Sequence, residues 1–459
     1  MSVPVFLRIK TLKMMNTEQR TFHLGAYFTG SGVQGDSWRH PQVDTDAYTD
    51  YSKYISYAQK LEAAKFDAVF FYDNVFSASD SETVARSPQA PRWEPIVLLS
   101  ALAVTTRRIG LVASVSTSYN EPYNVARKFA ALDHLSKGRA GWNVVTSTGG
   151  GENFNLSGHM DHAKRYERAH EFVDVVTGLW DSWADDAFLR NKQTGQWADP
   201  AKLHLLNHDG EFFKVKGPLN APRPLQGWPV LSQAGSSESG KDLAARIGEM
   251  LYTAAQDKQD AQHFFADVKA RAALLGRPAG SIKILPGVMP VIGRTQSEAE
   301  DKFDQLLETR DVDVVLQSLS SYASLGIDLT SLGFDDEVPL PAMIPETNSH
   351  KSRQQLLVNW IRKERPTVRQ LYTKWSAGGH RILVGTAQSI ADDFEEWFHD
   401  KACDGFNIMF SSTPGGLDDF VGLVVPELQK RQLFRKEYAG STLREHLGLP
   451  FKKNQFFNS

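Results

Sequence analysis

The sequence has little cysteine: one residue, Cys403, in 459. No disulfide can close within the chain and no cysteine cluster can hold a metal, which fits a reducing compartment. "DKACDGFN" sets that residue just before a strand, the place of a structural thiol. Excess charge is also scarce, with 51 Lys and Arg against 54 Asp and Glu and a formal net charge of −3. That balance argues against nucleic acid as the main partner but leaves room for a local basic pocket facing an acidic small molecule. No apolar run reaches the ~18 residues of a membrane span, and the first twenty residues lack the apolar core and cleavage site of a signal peptide. A soluble cytoplasmic protein is expected.

Several motifs are missing too. There is no G-x-G-x-x-G opening a helix, no G-x-x-x-x-G-K-[ST] and no H-E-x-x-H, and no G-x-S-x-G elbow. The pairs His159/His162 and His204/His208 come without a clear third ligand and read as surface or capping groups. The acid pairs Asp335–Asp336 and Asp392–Asp393 read as loop and helix-surface charge. No metal centre or serine hydrolase is expected.

What is present is alternation. Apolar strand-like runs at Phe22–Phe28, Asp67–Asp73, Ile109–Ser118, Arg139–Ser147, Trp228–Gly235, 250–255, 282–293 and Gly405–Ser411 are separated by segments with helical spacing. Eight strand–helix repeats favour a closed TIM-type (β/α)8 barrel over an open sheet, and the near-continuously apolar strands fit burial on both faces. Two segments depart from the repeat. Residues 184–227 hold a hairpin with a turn near Asp209–Gly210. Residues 311–385 form a large, partly helical insertion, of the size that covers an active site or makes an oligomer contact. The expected division is an extension over 1–21, one barrel domain over 22–449, and a tail over 450–459. The charged, aromatic segment after Arg431 is expected to wrap the barrel.

In such a barrel the site lies at the C-terminal strand ends. The residues there are Tyr27 and Phe28, Asp73 and Asn74, Ser116–Ser118, Asn143–Ser147 and Gln233–Ser237. Most are neutral donors and acceptors, the profile of a site that holds a cofactor. In "QAGSSESG" a strand ends at Gly235 and two serines open a helix. Ser236 and Ser237 there are equally compatible with anion binding and with plain N-capping. The glycines of "TSTGGGENFN" match no phosphate motif and read as a loop.

"NEPYNVARKFAALDHLSKGRAGWNVVTS" (Asn120–Ser147), with "KFDAVFFYD", "GPLNAPRPLQGWPVLSQAGSS", "LPGVMPV" and "DDFVGLVVPELQKRQLFRKEYAGSTLREHLGL", resembles the nitrilotriacetate, dibenzothiophene-sulfone and EDTA monooxygenase family of the bacterial-luciferase-like superfamily, most nearly its nitrilotriacetate type. The likeness runs from about Phe22 to Leu449. It implies a barrel that takes reduced FMN from a separate NAD(P)H-dependent flavin reductase and uses O2 to oxygenate a small acidic, sulfur- or nitrogen-containing substrate. C–N or C–S cleavage often follows.

Carried onto this sequence, the resemblance places Asp73 and Asn143 near the ring or ribityl chain, with Ser116 as a weaker neighbour. Ser147 and Tyr166 fall at the ribityl and phosphate end, and Gly235, Ser236 and Ser237 at the phosphate. Phe28, Gln89 and Tyr322 fall on the substrate side, and Arg39 and Arg92 are candidates for substrate carboxylates. Where relatives carry histidines, Gln34 and Thr148 stand here, so no catalytic side chain is assigned. A homodimer or homotetramer is the family habit. Two alternatives remain: a deazaflavin-dependent hydride-transfer enzyme of the same superfamily, and a non-catalytic flavin-binding protein.

Overall fold

The structure is a computed structural model that describes residues 20–33, 36–75, 81–86, 92–155, 160–347 and 351–457. Its strands are β1 (His23–Tyr27), β2 (Ala68–Phe71), β3 (Gly110–Ser116), β4 (Ala140–Val145), β5 (His208–Asp209), β6 (Lys214–Val215), β7 (Val230–Gln233), β8 (Met250–Thr253), β9 (Lys283–Ile292), β10 (Arg381–Gly385) and β11 (Gly405–Met409). The sheet runs β10-β9-β11-β1-β2-β3-β4-β7-β8, and a β8–β9 pairing closes it. Every pairing in it is parallel. The ring is therefore β1, β2, β3, β4, β7, β8, β9 and β11, the expected (β/α)8 barrel, with β10 as an extra strand.

The alternation along β4 shows how sequence becomes layer. Trp142 points outward and is fully buried among Phe129, Phe172 and Trp180, with ring centroids 5.7, 5.9 and 6.3 Å away. Its neighbours Gly141 and Asn143 point into the barrel. Helices Pro122–Leu135 and His162–Trp180 supply the outer rings, and Trp142 Nε1 donates to Val115 O at 3.1 Å. Burial of each such ring is worth roughly 1.5–3 kcal/mol.

The inward positions grade from small to polar along the axis. At the N-terminal end, a Cβ on Gly110 would lie 2.5 Å from Leu443 Cδ1, and one on Gly141 3.2 Å from Leu443 Cδ2. These glycines make room for a plug. The short helix Leu443–His446 closes this end, and Leu443, Leu447 and Leu449 join Ala68, Val112 and Val230 in the interior cluster. The segment after Arg431 crosses this end from Asp67 to Asp181 and stops the barrel's floor as it goes. Higher up, the registers and strand tilt bring Phe70 of β2, Asn143 of β4, Tyr252 of β8 and Asn407 of β11 into one layer, alternate strands contributing as in other eight-stranded barrels. Phe70 and Tyr252 stack across it, centroids 4.2 Å apart and 20° from parallel.

The hairpin forms as expected, β5 antiparallel to β6. The Glu171 carboxylate fixes it by accepting from Phe212 N and Phe213 N (3.0 and 2.8 Å) and contacting His208 Nε2 at 2.9 Å. The 311–385 insertion contains helices Val312–Ala323, Lys351–Glu364 and Val368–Lys374 around their own core of Leu319, Leu357, Ile361 and Leu371. One boundary changes. The last five residues assigned to the insertion are strand β10, which pairs with Val288–Ile292 of β9 where β8, matched to Lys283–Pro286, has already ended. Helix Ser81–Arg86 was not anticipated. Among the described residues no helix is long and apolar enough to cross a membrane, and no group of three or more His, Cys, Asp or Glu could hold a metal.

Buried ion pairs tie the plug down. Arg444 reaches Glu249 in two bonds of 2.9 and 2.8 Å, and Lys452 Nζ adds a third contact at 3.0 Å. Despite burial, these cations hold the Glu249 carboxyl down at about 2 against an ordinary 4.5. A depressed carboxyl contributes stability that is present above its unfolded value and lost as pH falls toward its folded one. Arg444→Leu is therefore expected to destabilise the fold by about 3 kcal/mol near neutral pH. The deficit should shrink as pH drops from 4.5 toward 2, as read from urea unfolding midpoints of the two proteins across that range.

Candidate active site

At the mouth of the barrel the strand ends gather a continuous run of small polar groups. Ser114 and Asn143, then Asn143 and Ser232, are register partners on β3, β4 and β7, so all three face the interior. Asn143 Nδ2 donates to Ser114 Oγ at 2.8 Å. Its Oδ1 and the Ser232 Oγ are buried without a hydrogen-bond partner. Unsatisfied buried polar atoms each cost about 1–3 kcal/mol, so two on one rung mark a surface shaped for a polar ligand. Asn407 Oδ1, in the layer of Asn143, is likewise buried and unpartnered.

One step outward, Ser147 Oγ donates to Ser116 Oγ at 2.7 Å, and Arg165 donates to the Ser147 carbonyl at 2.7 Å. Arg165 is 2% exposed; burial lowers its pKa, offset in part by Tyr166 and Tyr119. The adjacent Tyr166 points its hydroxyl at Gly235, where a Cβ would lie 3.0 Å from the oxygen and 2.4 Å from Gln233 Nε2. A Cβ on Gly240 would press 2.9 Å from the Gly235 carbonyl carbon. Gly235 and Gly240 thus form a cradle that only glycines leave open. Ser237 is the N-cap of helix Glu238–Ile247, accepting from Gly240 N at 3.2 Å. The capping reading is thereby realised for Ser237. Ser236 stands just before that cap, and the helix's positive end follows directly on Gly235.

Asp73, just past β2, has its pKa raised, first by burial and then by Glu94, with Arg92 opposing. Arg92 lies over the Tyr72 ring, 5.7 Å from its centroid. His162, at the start of its helix, is held below the usual imidazole value by burial, Arg165 and Lys351, which places the N-terminus of the insertion helix Lys351–Glu364 near this mouth. Arg39 donates to Thr309 O at 2.6 Å on the outside.

The structure thus brings together Ser116, Asn143, Ser147, Tyr166, Gly235 and Ser237, with Ser236 beside them. Phe28 is set elsewhere. It packs edge-on against Tyr54, Tyr57 and Phe71 in the helix-facing layer and is 4% exposed. The reason is alternation: Tyr27 takes the inward direction, so Phe28 takes the outward one. Gln89 and Gln34 lie outside the described residues. Tyr322 falls on helix Val312–Ala323, with its side chain outside the described set. Residues absent from the sequence reading are Ser232, Asn407, Arg165 and His380. The first two carried a signal, a lone polar residue in an apolar strand ("WPVLSQ", "GFNIMF").

The residues fit a flavin: orphaned acceptors and hydroxyls for a heteroaromatic edge and a polyol chain, and a glycine-lined helix start for a phosphate. The comparisons agree. Residues 34–404 match the model of the family described as luciferase-like monooxygenase. The chain belongs to that family. The luciferase-like chain is 46% identical over 447 residues to N-acetyl-S-(2-succino)cysteine monooxygenase of Bacillus subtilis (strain 168), covering 96% of this chain and 100% of the relative. It is also 46% identical to nitrilotriacetate monooxygenase component A of Aminobacter aminovorans, covering 95% and 98%. Among solved structures, riboflavin lyase with a modified FMN and riboflavin superimposes with a TM-score of 0.82 at 32% identity, covering 94% and 96%. This luciferase-like protein is an enzyme, a monooxygenase of a flavin-dependent family.

Gly235→Val fills the cradle and pushes aside the ends of the Gln233 and Tyr166 side chains. FMN affinity measured by fluorescence quenching should fall about tenfold or more, while the thermal midpoint stays within a few degrees, because the new side chain obstructs the mouth rather than the core.

Proposed function

We propose that the protein is the oxygenating component of a two-component system. It takes reduced FMN from a separate NAD(P)H-dependent reductase and, with O2, oxygenates a small acidic organic molecule containing sulfur or nitrogen. The observation that carries this reading is the row of orphaned acceptors beside a glycine-lined helix start, at the mouth of a barrel whose full-length relatives are named for an aminopolycarboxylate and a succinylated cysteine. When bound, the reduced flavin supplies the two electrons by which one oxygen atom enters the substrate and the other leaves as water.

The chain's own work is binding, orientation and exclusion of water. Ser236, Ser237 and the first-turn N–H groups hold the phosphate, Gly235 leaving it room. Ser116, Ser147 and Tyr166 meet the ribityl hydroxyls, and Asn143 and Asp73 meet the ring. The stacked Phe70 and Tyr252 form an apolar floor that keeps water from rising through the barrel. Gln89 and Tyr322 remain candidates for the substrate side. The reductase partner, a homodimer or homotetramer, and a cytoplasmic location belong to the same proposal.

The test is oxygen-isotope incorporation. The protein, a flavin reductase, NADH and FMN are supplied with heavy-oxygen-labelled O2 and a panel of aminocarboxylates, thioether acids and sulfones. One labelled oxygen per product molecule is expected from at least one panel member. Oxygen uptake that ends only in hydrogen peroxide across the panel would remove the substrate assignment. Turnover of a deazaflavin without oxygen uptake would replace the reading with hydride transfer, and flavin binding without turnover would leave a binding protein.

A further inference from the structure

Where β8 stops at Thr253, β10 takes its place beside β9, and the residue just before β10 is His380. Its ring occupies the inward position that Gly287 leaves empty: a Cβ on Gly287 would lie 2.3 Å from His380 Nδ1 and 3.0 Å from Met409 Sδ. Gly287 is the register partner of Asn407, so it faces the barrel interior. The imidazole therefore lines the mouth, one layer above the Phe70–Tyr252 floor, although it arrives from the far end of a 75-residue excursion in sequence. Nδ1 is buried beside the backbone of Thr253 and Gly287, without a hydrogen bond of good geometry.

The other nitrogen is engaged. His380 Nε2 lies 2.7 Å from Arg353 on the insertion helix. A guanidinium can only donate, so Nε2 accepts, and a neutral ring must carry its proton on Nδ1. Burial, and next the Arg353 charge, push the imidazole well below its ordinary value. Among the described residues, Arg353 is the charged side chain that faces it. The adjacent Arg381 turns outward to Asp393 (2.6 and 2.7 Å), and Gly287, Met409 and Thr253 bring no charge from β9, β11 and β8.

We propose that His380 is a specificity-determining residue, a neutral Nδ1–H donor whose tautomer Arg353 fixes and which takes a carboxylate oxygen of the substrate at the barrel mouth. This deepens, and rests on, the acidic-substrate reading above. A neutral imidazole suits the task because it donates without giving up its proton, so recognition persists across the pH range in which free histidine would titrate.

The experiment uses full-length, flavin-free protein labelled with 15N-histidine, with the His380 signals identified by their loss in His380→Asn. The expected result is a neutral Nδ1–H tautomer from about pH 6 to about pH 8, with Arg353→Gln producing a tautomer mixture. Nitrilotriacetate, added as the probe, should shift the Nδ1 proton. His380→Leu should weaken its binding about tenfold or more, whereas His380→Asn, whose amide nitrogen overlays Nδ1, should stay within about threefold. An imidazolium or an Nε2–H tautomer near neutral pH, or His380→Leu binding as tightly as the native chain, overturns the assignment of His380. A correct tautomer with no nitrilotriacetate binding to a native chain that still binds FMN overturns the acidic-substrate reading instead.

Discussion

A strand covered on both faces must spend every other side chain on its helix and the rest on the barrel interior, and this two-residue alternation governs the whole molecule. Outward residues are chosen for size, as Trp142 is between Phe129, Phe172 and Trp180. Inward residues must fill a space that the ring of eight strands fixes in width. Glycines at 110 and 141 admit Leu443 from below, an aromatic pair shares the middle layer with Asn143 and Asn407, and further hydroxyls follow toward the strand ends. The polar end is thus the upper part of the packing pattern that builds the core.

Closure sets what each end can do. At the N-terminal end, charges meet in buried pairs: Arg444 and Lys452 on Glu249, and Arg435 and His23 on Asp67. At the C-terminal end, Asn143, Ser232 and Asn407 keep buried polar atoms unsatisfied. A fold tolerates that cost where a ligand repays it. Paired charges at one end and neutral amides and hydroxyls at the other support a ligand at the C-terminal mouth.

Much of this was legible in the sequence. The eight apolar runs mark the ring because parallel strands read as continuous hydrophobic segments. The helix-start serines and the Asn143–Ser147 end follow from where those runs turn polar. What the sequence hid was long-range. β10 reads as the end of an insertion because its pairing with β9 is set by where β8 stops, not by local pattern. Leu443, Leu447 and Leu449 look like a surface amphipath until the glycines opposite them are seen as a socket. Phe28 reads as a site residue by position and is a core residue by direction, a one-residue difference that the alternation decides. His380 carried no local signal, since its place at the mouth depends on Gly287, 93 positions earlier.

The account stands on the flavin occupying the C-terminal mouth, and amide hydrogen exchange with and without FMN tests that directly. Protection on binding is expected over Asn143–Gly151 and Gln233–Gly240, with no change over Leu443–Lys452. Protection confined to the tail or to the outer helices, with the strand ends exchanging as before, would contradict it.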